Sequence, residues 1–161
     1  MVLPLKRGSV HIISAYAPTA SHGDATRDQF YDQLNQLLID IPPTDKVLLL
    51  GDFNARVGKD HEGWEGVLGK HGVGVENQNG TTLLSFCSQN DLKITNTLFQ
   101  QPDRFKYTWM HPGTKKWHMI DYAITRQRDV KDIHHTRAMC TDPLLRGRTI
   151  CLLYTSDAAD E

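Results

Sequence analysis

Val47-Leu48-Leu49-Leu50-Gly51-Asp52-Phe53-Asn54 is the stretch that decides the fold. Residues 47–50 are apolar without alternation, between Asp45 and Gly51. Such a run fits a strand buried on both faces, as in a sheet covered on each side. The strand delivers a carboxylate and a carboxamide, two residues apart, to its C-terminal end. In α/β folds that end is where ligands bind. Asp52 could exchange a proton or help hold a metal, and Asn54 could donate a hydrogen bond to a phosphate oxygen or a developing oxyanion. The same pair could equally form an Asx-type turn after the strand.

Outward toward the N-terminus, residues 10–16 read VHIISAY, a β-rich run ended by Ala17-Pro18. The residue before a proline disfavours helix, so this strand leaves into a turn. Residues 21–24 form a turn-and-cap cluster. Across residues 25–39, Phe30, Leu34, Leu37 and Leu38 fall at helical spacing, and Pro42-Pro43 ends the helix. Strand, helix, buried strand is the pattern of a layered α/β domain. Outward toward the C-terminus, residues 52–80 are polar and glycine-rich, too long for a neutral connector, and so suggest a functional loop. Thr81 or Thr82 can cap a second helix through Gln89. Residues 92–96 give a short strand. Residues 106–110 and 119–124 read as two strands joined across residues 111–116, a hairpin with a basic tip.

The 161 residues give one domain, and no apolar run approaches the roughly 18 needed to span a membrane. Cys87, Cys140 and Cys151 are too few and scattered for a disulfide framework or a cysteine-rich zinc site, which favours a reducing compartment. The net charge of −1 hides an asymmetry. Residues 1–100 hold 8 basic against 11 acidic side chains, and residues 101–150 hold 10 against 5. A basic C-terminal third suits a polyanionic substrate, although a solvated surface with chance clustering gives the same count.

Further candidates follow from placement. Asp121, in Trp117-His118-Met119-Ile120-Asp121-Tyr122, lies in an apolar strand, so it calls for a partner: an arginine, a histidine or a metal. A histidine there would make a catalytic pair and an arginine a structural one. Tyr16 ends the first strand and could reach a phosphate at the same sheet edge, or simply sit at the rim. Trp109 and Trp117 flank Lys115-Lys116; they could stack on a base or sugar, or belong to the core. His134-His135 reads as a surface pair. No phosphate-binding P-loop or G-x-G-x-x-G turn occurs.

Together, Ile13-Ser14-Ala15-Tyr16-Ala17-Pro18, Leu50-Gly51-Asp52-Phe53-Asn54-Ala55-Arg56-Val57-Gly58, Tyr107-Thr108-Trp109 and Ile120-Asp121-Tyr122 resemble the endonuclease/exonuclease/phosphatase superfamily, the DNase-like and apurinic-endonuclease-like group. The stretches at residues 61–69 and 109–112 resemble endonuclease domains of non-LTR retrotransposons and the craniofacial development protein 2-like proteins. The resemblance covers residues 9–142. It implies a four-layer α/β sandwich and Mg²⁺-dependent hydrolysis of DNA phosphodiesters, and through DNA an intracellular, nuclear location. It makes Asp52 the acid that activates water or serves the leaving group, Asn54 the amide on the scissile phosphate and Tyr16 a phosphate contact. Asp121 becomes the carboxylate that orients a histidine, and Asn77 a DNA-contacting asparagine. Residues 112–116 become the hairpin that meets the DNA groove, with Trp109, Lys115, Lys116 and Trp117 on the substrate.

The departures from the family are as informative. No Asp, Glu or Asn precedes Tyr16, so the family's metal-binding glutamate is absent. The terminal Ser/Thr-Asp-His motif is represented by Cys140-Thr141-Asp142-Pro143, with Asp142 as the metal-side aspartate. His118 lies three residues from Asp121 and, on one strand, would face the other way. The expectation is therefore a partial domain over residues 1–150, incomplete at both ends and weak or inactive as a nuclease. The competing expectation is a non-catalytic module that keeps the fold and binds nucleic acid. Residues 151–161, CLLYTSDAADE, resemble no part of the family and read as an unrelated tail, either translated adapter sequence or a divergent terminus.

Overall fold

The computed structural model describes residues 1–139 and the backbone of residues 149–154. Strands β1 (Val2–Pro4), β2 (Ser9–Tyr16), β3 (Lys46–Asp52), β4 (Leu92–Ile94) and β7 (Asp121–Arg126) form one sheet in the order β1-β2-β3-β7-β4. Only β2 and β3 run parallel. A parallel pair needs a crossover, and α1 (Asp24–Asp40) supplies it. Helix α2 (Gln78–Gln89) follows the long loop. Strands β5 (Trp109–Met110) and β6 (Trp117–His118) make a small hairpin, and β8 (Ile133–Met139) pairs antiparallel with β9 (Thr149–Tyr154).

The 47–50 run is buried on both faces, as its lack of alternation implied. Val47 and Leu49 join Leu34 and Leu38 of α1 and Leu83, Leu84 and Cys87 of α2. Leu48 turns the other way, onto Val10 and Ile133. On that second face the Thr95 hydroxyl meets the Thr136 hydroxyl of β8 at 2.9 Å. The layers are thus helices, the five-stranded sheet, and the two-stranded β8–β9 sheet. Among the described residues no helix is long and apolar enough to cross a membrane.

Several local expectations are corrected. Leu37 is 49% exposed, because the helix contact runs along Phe30, Leu34 and Leu38, and its position lies off that line. The cap of α2 is Asn77, not Thr81 or Thr82: its Oδ1 accepts from Gly80 N (2.8 Å) and from Arg56 N (3.0 Å). The run at 106–110 is a strand only at Trp109–Met110, preceded by a turn at Asp103–Phe105. The strand expected at 119–124 lies at Asp121–Arg126 and leaves the hairpin for the main sheet, where it pairs with β3. His134 is exposed, but His135 is half-buried with its ring 5.3 Å from Phe99. The division drawn after residue 150 falls inside β9, whose Cys151–Leu153 segment pairs with β8. Asp142, with Cys140 and Pro143, lies outside the described residues, as does the tail from 155.

The glycine-rich loop is stitched to the body rather than loose. Val67, Leu68 and Val73 are buried in the helix-side core. Gly69 N donates to Thr97 Oγ1 at 2.7 Å, and Trp64 Nε1 donates to Glu76 Oε2 at 3.2 Å. At Gly80 an added Cβ would stand 1.7 Å from the Arg56 carbonyl oxygen. Gly74, with φ +74°, has nothing within 4 Å of that position. Gly80→Ala is therefore expected to lower the unfolding free energy in urea by about 1–3 kcal/mol, through overpacking against backbone. Gly74→Ala should cost only about 1 kcal/mol, the conformational penalty alone. Equal losses in the two variants would contradict the packing seen around α2.

Candidate active site

Strand register brings three of the sequence candidates onto one rung. Tyr16 of β2 is the partner of Asp52 in β3, and Asp52 is the partner of Asp121 in β7. Cross-strand partners point to the same face of a sheet. Alternation along β3 puts Val47 and Leu49 toward the helices, so Asp52 points away from them. The rung therefore lies at the C-terminal end of the parallel pair, on the face that β8 covers farther down. Tyr16 is 74% exposed, and Asp52 and Asp121 are half-buried.

Asp52 does form the Asx turn: its Oδ1 accepts from Asn54 N at 2.8 Å. Asn54 takes φ +46°, an uncommon conformation for a residue with a Cβ. Side-chain and backbone bonds hold it there. Asn54 Nδ2 donates to Ala17 O (2.7 Å), and Asn54 O accepts from Asn79 Nδ2 (3.0 Å). Asn79 Oδ1 in turn accepts from Arg27 at 3.3 Å. The amide is thus fixed beside Tyr16 by the segment that follows it. Asn79 and Arg27 were missed in the sequence, where nothing but a position inside a helix and a polar helix residue marked them.

Among the described residues Asp121 pairs with neither an arginine nor a histidine. Its neighbours are the Thr108 hydroxyl and Asp52. Burial raises its pKa to about 6, the Asp52 charge adds to the rise, and Thr108 opposes it. A half-buried carboxylate relieves its desolvation by holding its proton more tightly, so no ion pair is required. Burial also raises Asp52, against the Asn54 backbone bond. Thr108 and Asn96 brace this end of β7. The Thr108 hydroxyl accepts from Ile120 N and Asp121 N (3.1 and 3.2 Å), and Asn96 bonds Asp121 O and Ala123 N (3.2 and 2.9 Å). Thr108 stands in a quoted motif without a role, and Asn96 carried no sequence signal.

The hairpin candidates divide. Lys116, Trp117 and His118 line a cleft of about 490 Å³ with Arg56, Val73–Val75, Tyr107 and Met119. Burial, then Arg56, His111 and Lys116, holds the His118 pKa below its usual value. Trp109 instead lies against His111 and His118, with ring centroids 5.4 and 6.1 Å away. Lys115 is exposed at the tip with φ +57°. Asn77 faces inward as the α2 cap, its Oδ1 already accepting two backbone bonds.

For Mg²⁺ the rung offers two carboxylates. Among the described residues no group of three or more His, Cys, Asp or Glu gathers to hold a metal. Mg²⁺ is content with one or two carboxylates where phosphates and waters complete its octahedron. Asp52 and Asp121 fit an ion whose remaining ligands are a bound phosphate and water.

Residues 10–142 match the endonuclease-reverse transcriptase family model. Craniofacial development protein 2 of Bos taurus is 44% identical over 119 residues, and that of Tragulus javanicus 43%. Each match covers 73% of this chain but 19% and 20% of the relative, so the chain spans about a fifth of the curated relatives it matches. The endonuclease domain of TRAS1, a telomere-specific non-LTR retrotransposon, superposes with a TM-score of 0.64 at 11% identity, covering 95% of this chain and 61% of that one. The 3′ phosphatase NExo from Neisseria, bound to product DNA hairpin, gives 0.63 at 13%, covering 96% and 63%. At these identities the two structures establish the shared fold.

The raised Asp121 pKa makes stability depend on pH. The folded chain holds this proton more tightly than the unfolded chain, so the contribution is full below the ordinary value of 3.8 and is lost as pH rises through about 6. Discounted for the solvent that reaches the carboxylate, the loss is about 1 kcal/mol. Urea unfolding from about pH 4 to about pH 6 should show this decline, and Asp121→Asn should flatten it and be the more stable at neutral pH. A decline of the same size in Asp121→Asn would assign it to other groups.

Proposed function

This chain belongs to the endonuclease-reverse transcriptase family, and from that membership and the Tyr16–Asp52–Asp121 rung we propose that it binds duplex DNA and addresses a phosphodiester at the rung. The observation that carries the reading is the register that aligns these three side chains at one strand end. The Tyr16 hydroxyl, open to solvent, donates to a phosphate oxygen. The Asn54 amide, fixed beside it, orients that phosphate. Asp52 accepts the proton of an attacking water or returns one to the leaving oxygen. Asp121, its pKa pushed up to about 6 by burial, is the rung's second carboxylate and would give up its proton where Mg²⁺ binds. Asp52 and Asp121 would hold Mg²⁺ together with the substrate phosphate, where the ion would neutralise phosphate charge and make a water more acidic.

Arg56, Lys116 and His118 give the neighbouring cleft a basic lining for the flanking phosphates. Trp117 and Tyr107 add stacking surface there. Hydrolysis by this chain is weak, because the two carboxylates need the substrate to complete a cation site and Asp121 leans on Thr108 rather than a histidine. Loss of a base or of a metal ligand typically lowers rates by about 10² to 10⁴.

Two measurements test this. Supercoiled plasmid with Mg²⁺ should be nicked slowly or not at all. Brisk nicking that EDTA and Asp52→Ala both abolish would overturn the weak-enzyme reading while supporting the site. Duplex binding should fall in Lys115→Ala/Lys116→Ala, with the salt dependence flattened by up to about two phosphate contacts. An unchanged salt slope would remove the hairpin from the interface.

A further inference from the structure

At the far end of β7 from Asp121, five residues or about 17 Å along the strand, Arg126 and Arg128 line a second pocket. It has a volume of about 390 Å³, and Asn90, Asp91 and Gln127 complete its walls. The two arginines differ in how they are held. Arg128 donates through one terminal nitrogen to Asp45 O at 2.7 Å and through Nε to Asp129 at 3.3 Å. Arg126 Nε is buried and has no hydrogen-bond partner among the described residues.

A buried guanidinium nitrogen without an acceptor is costly, and a second guanidinium beside it adds repulsion. The carboxylates around the pocket do not resolve this. Asp129 is engaged by Arg128, and Asp45 by His11 Nε2 at 2.8 Å and Ser9 N at 3.1 Å. Asp91 is exposed on the rim, in a turn with φ +51° that Gln127 N fixes through Asp91 O at 2.8 Å. Asn90 and Gln127 donate their amide nitrogens to Phe86 O and Leu92 O, and neither amide oxygen accepts from Arg126 Nε. Burial and Arg128 both lower the Arg126 pKa, while Asp129 and Asp45 oppose them. Nε itself is closed to solvent, so a pocket ligand would meet the other donors of the two guanidinium groups; no described residue accepts from Arg126, and an acceptor that serves both groups at once fits the pocket. A planar carboxylate is satisfied by one fork, whereas a tetrahedral phosphate has oxygens for both.

We propose that the Arg126–Arg128 pocket is a binding site for a phosphate-type oxyanion, separate from the rung and occupied independently of it. Free phosphate and the backbone phosphate of a nucleic acid share this chemistry. The full chain carrying Asp52→Asn, which removes a rung carboxylate, is titrated with inorganic phosphate and, separately, with a short single-stranded DNA. Arginine side-chain NMR is the readout, with sulfate-free chloride at matched ionic strength as reference. Saturable shifts of Arg126 with inorganic phosphate support a small-anion site. Arg126 shifts with DNA alone support a backbone contact. In both cases Arg126→Gln should abolish the effect. Arg126→Lys, which keeps the charge, should weaken it about tenfold by losing the fork and serves where the Gln variant does not fold. Absence of saturable shifts with either probe, or retention of binding in both variants, would overturn the proposal.

Discussion

The pairing of β2 with β3 and of β3 with β7 is the constraint on which the site depends. Side chains alternate between faces, so a slip of one residue in either pair would turn a member of the rung toward the helices. The register is pinned at Gly51, where a Cβ would stand 1.8 Å from the Ala15 carbonyl oxygen. Only a residue without a side chain lets β2 and β3 stay together to their ends, where Tyr16 and Asp52 sit. Apolar packing on both faces of β3 then makes every alternative register expensive.

Amide side chains carry that order from the sheet into the loop. Asn54 bonds Ala17, Asn79 bonds Asn54, and Asn77 bonds Arg56 and the first turn of α2. The close approach of α2 at Gly80 leaves no slack in this lattice. One consequence is that Arg56 is carried to the cleft by the same backbone that Asn77 fixes. The rung and the basic cleft are therefore positioned by one set of contacts, although they differ in chemistry.

The sequence was legible where burial or chain reversal left a local mark. The unbroken 47–50 run, the Ala17-Pro18 stop and the helical spacing of Phe30, Leu34, Leu37 and Leu38 each matched an element, although Leu37 lies off the buried line. The carboxylate at the end of the buried strand led to the rung. Less legible was whatever depended on long-range placement. The departure of Asp121 from the hairpin into the main sheet follows from pairing with a strand some seventy residues earlier, which no local pattern encodes. Asn96 and Thr108 act through backbone groups 12 or more residues away in sequence, and Asn77, named as a DNA contact by the family resemblance alone, also caps α2. Arg126 looked like one more basic residue until its buried Nε was seen.

The central claim is that Asp52 and Asp121 form one electrostatically coupled unit at the strand end. Carboxyl-carbon NMR titration of Asp121 tests it most directly, in the wild-type chain and in Asp52→Asn. The account predicts a wild-type midpoint near about 6 that moves down when the neighbouring charge is removed, because Asp52 contributes to the rise. A midpoint in the ordinary carboxylate range, or one that ignores the loss of the Asp52 charge, would contradict it.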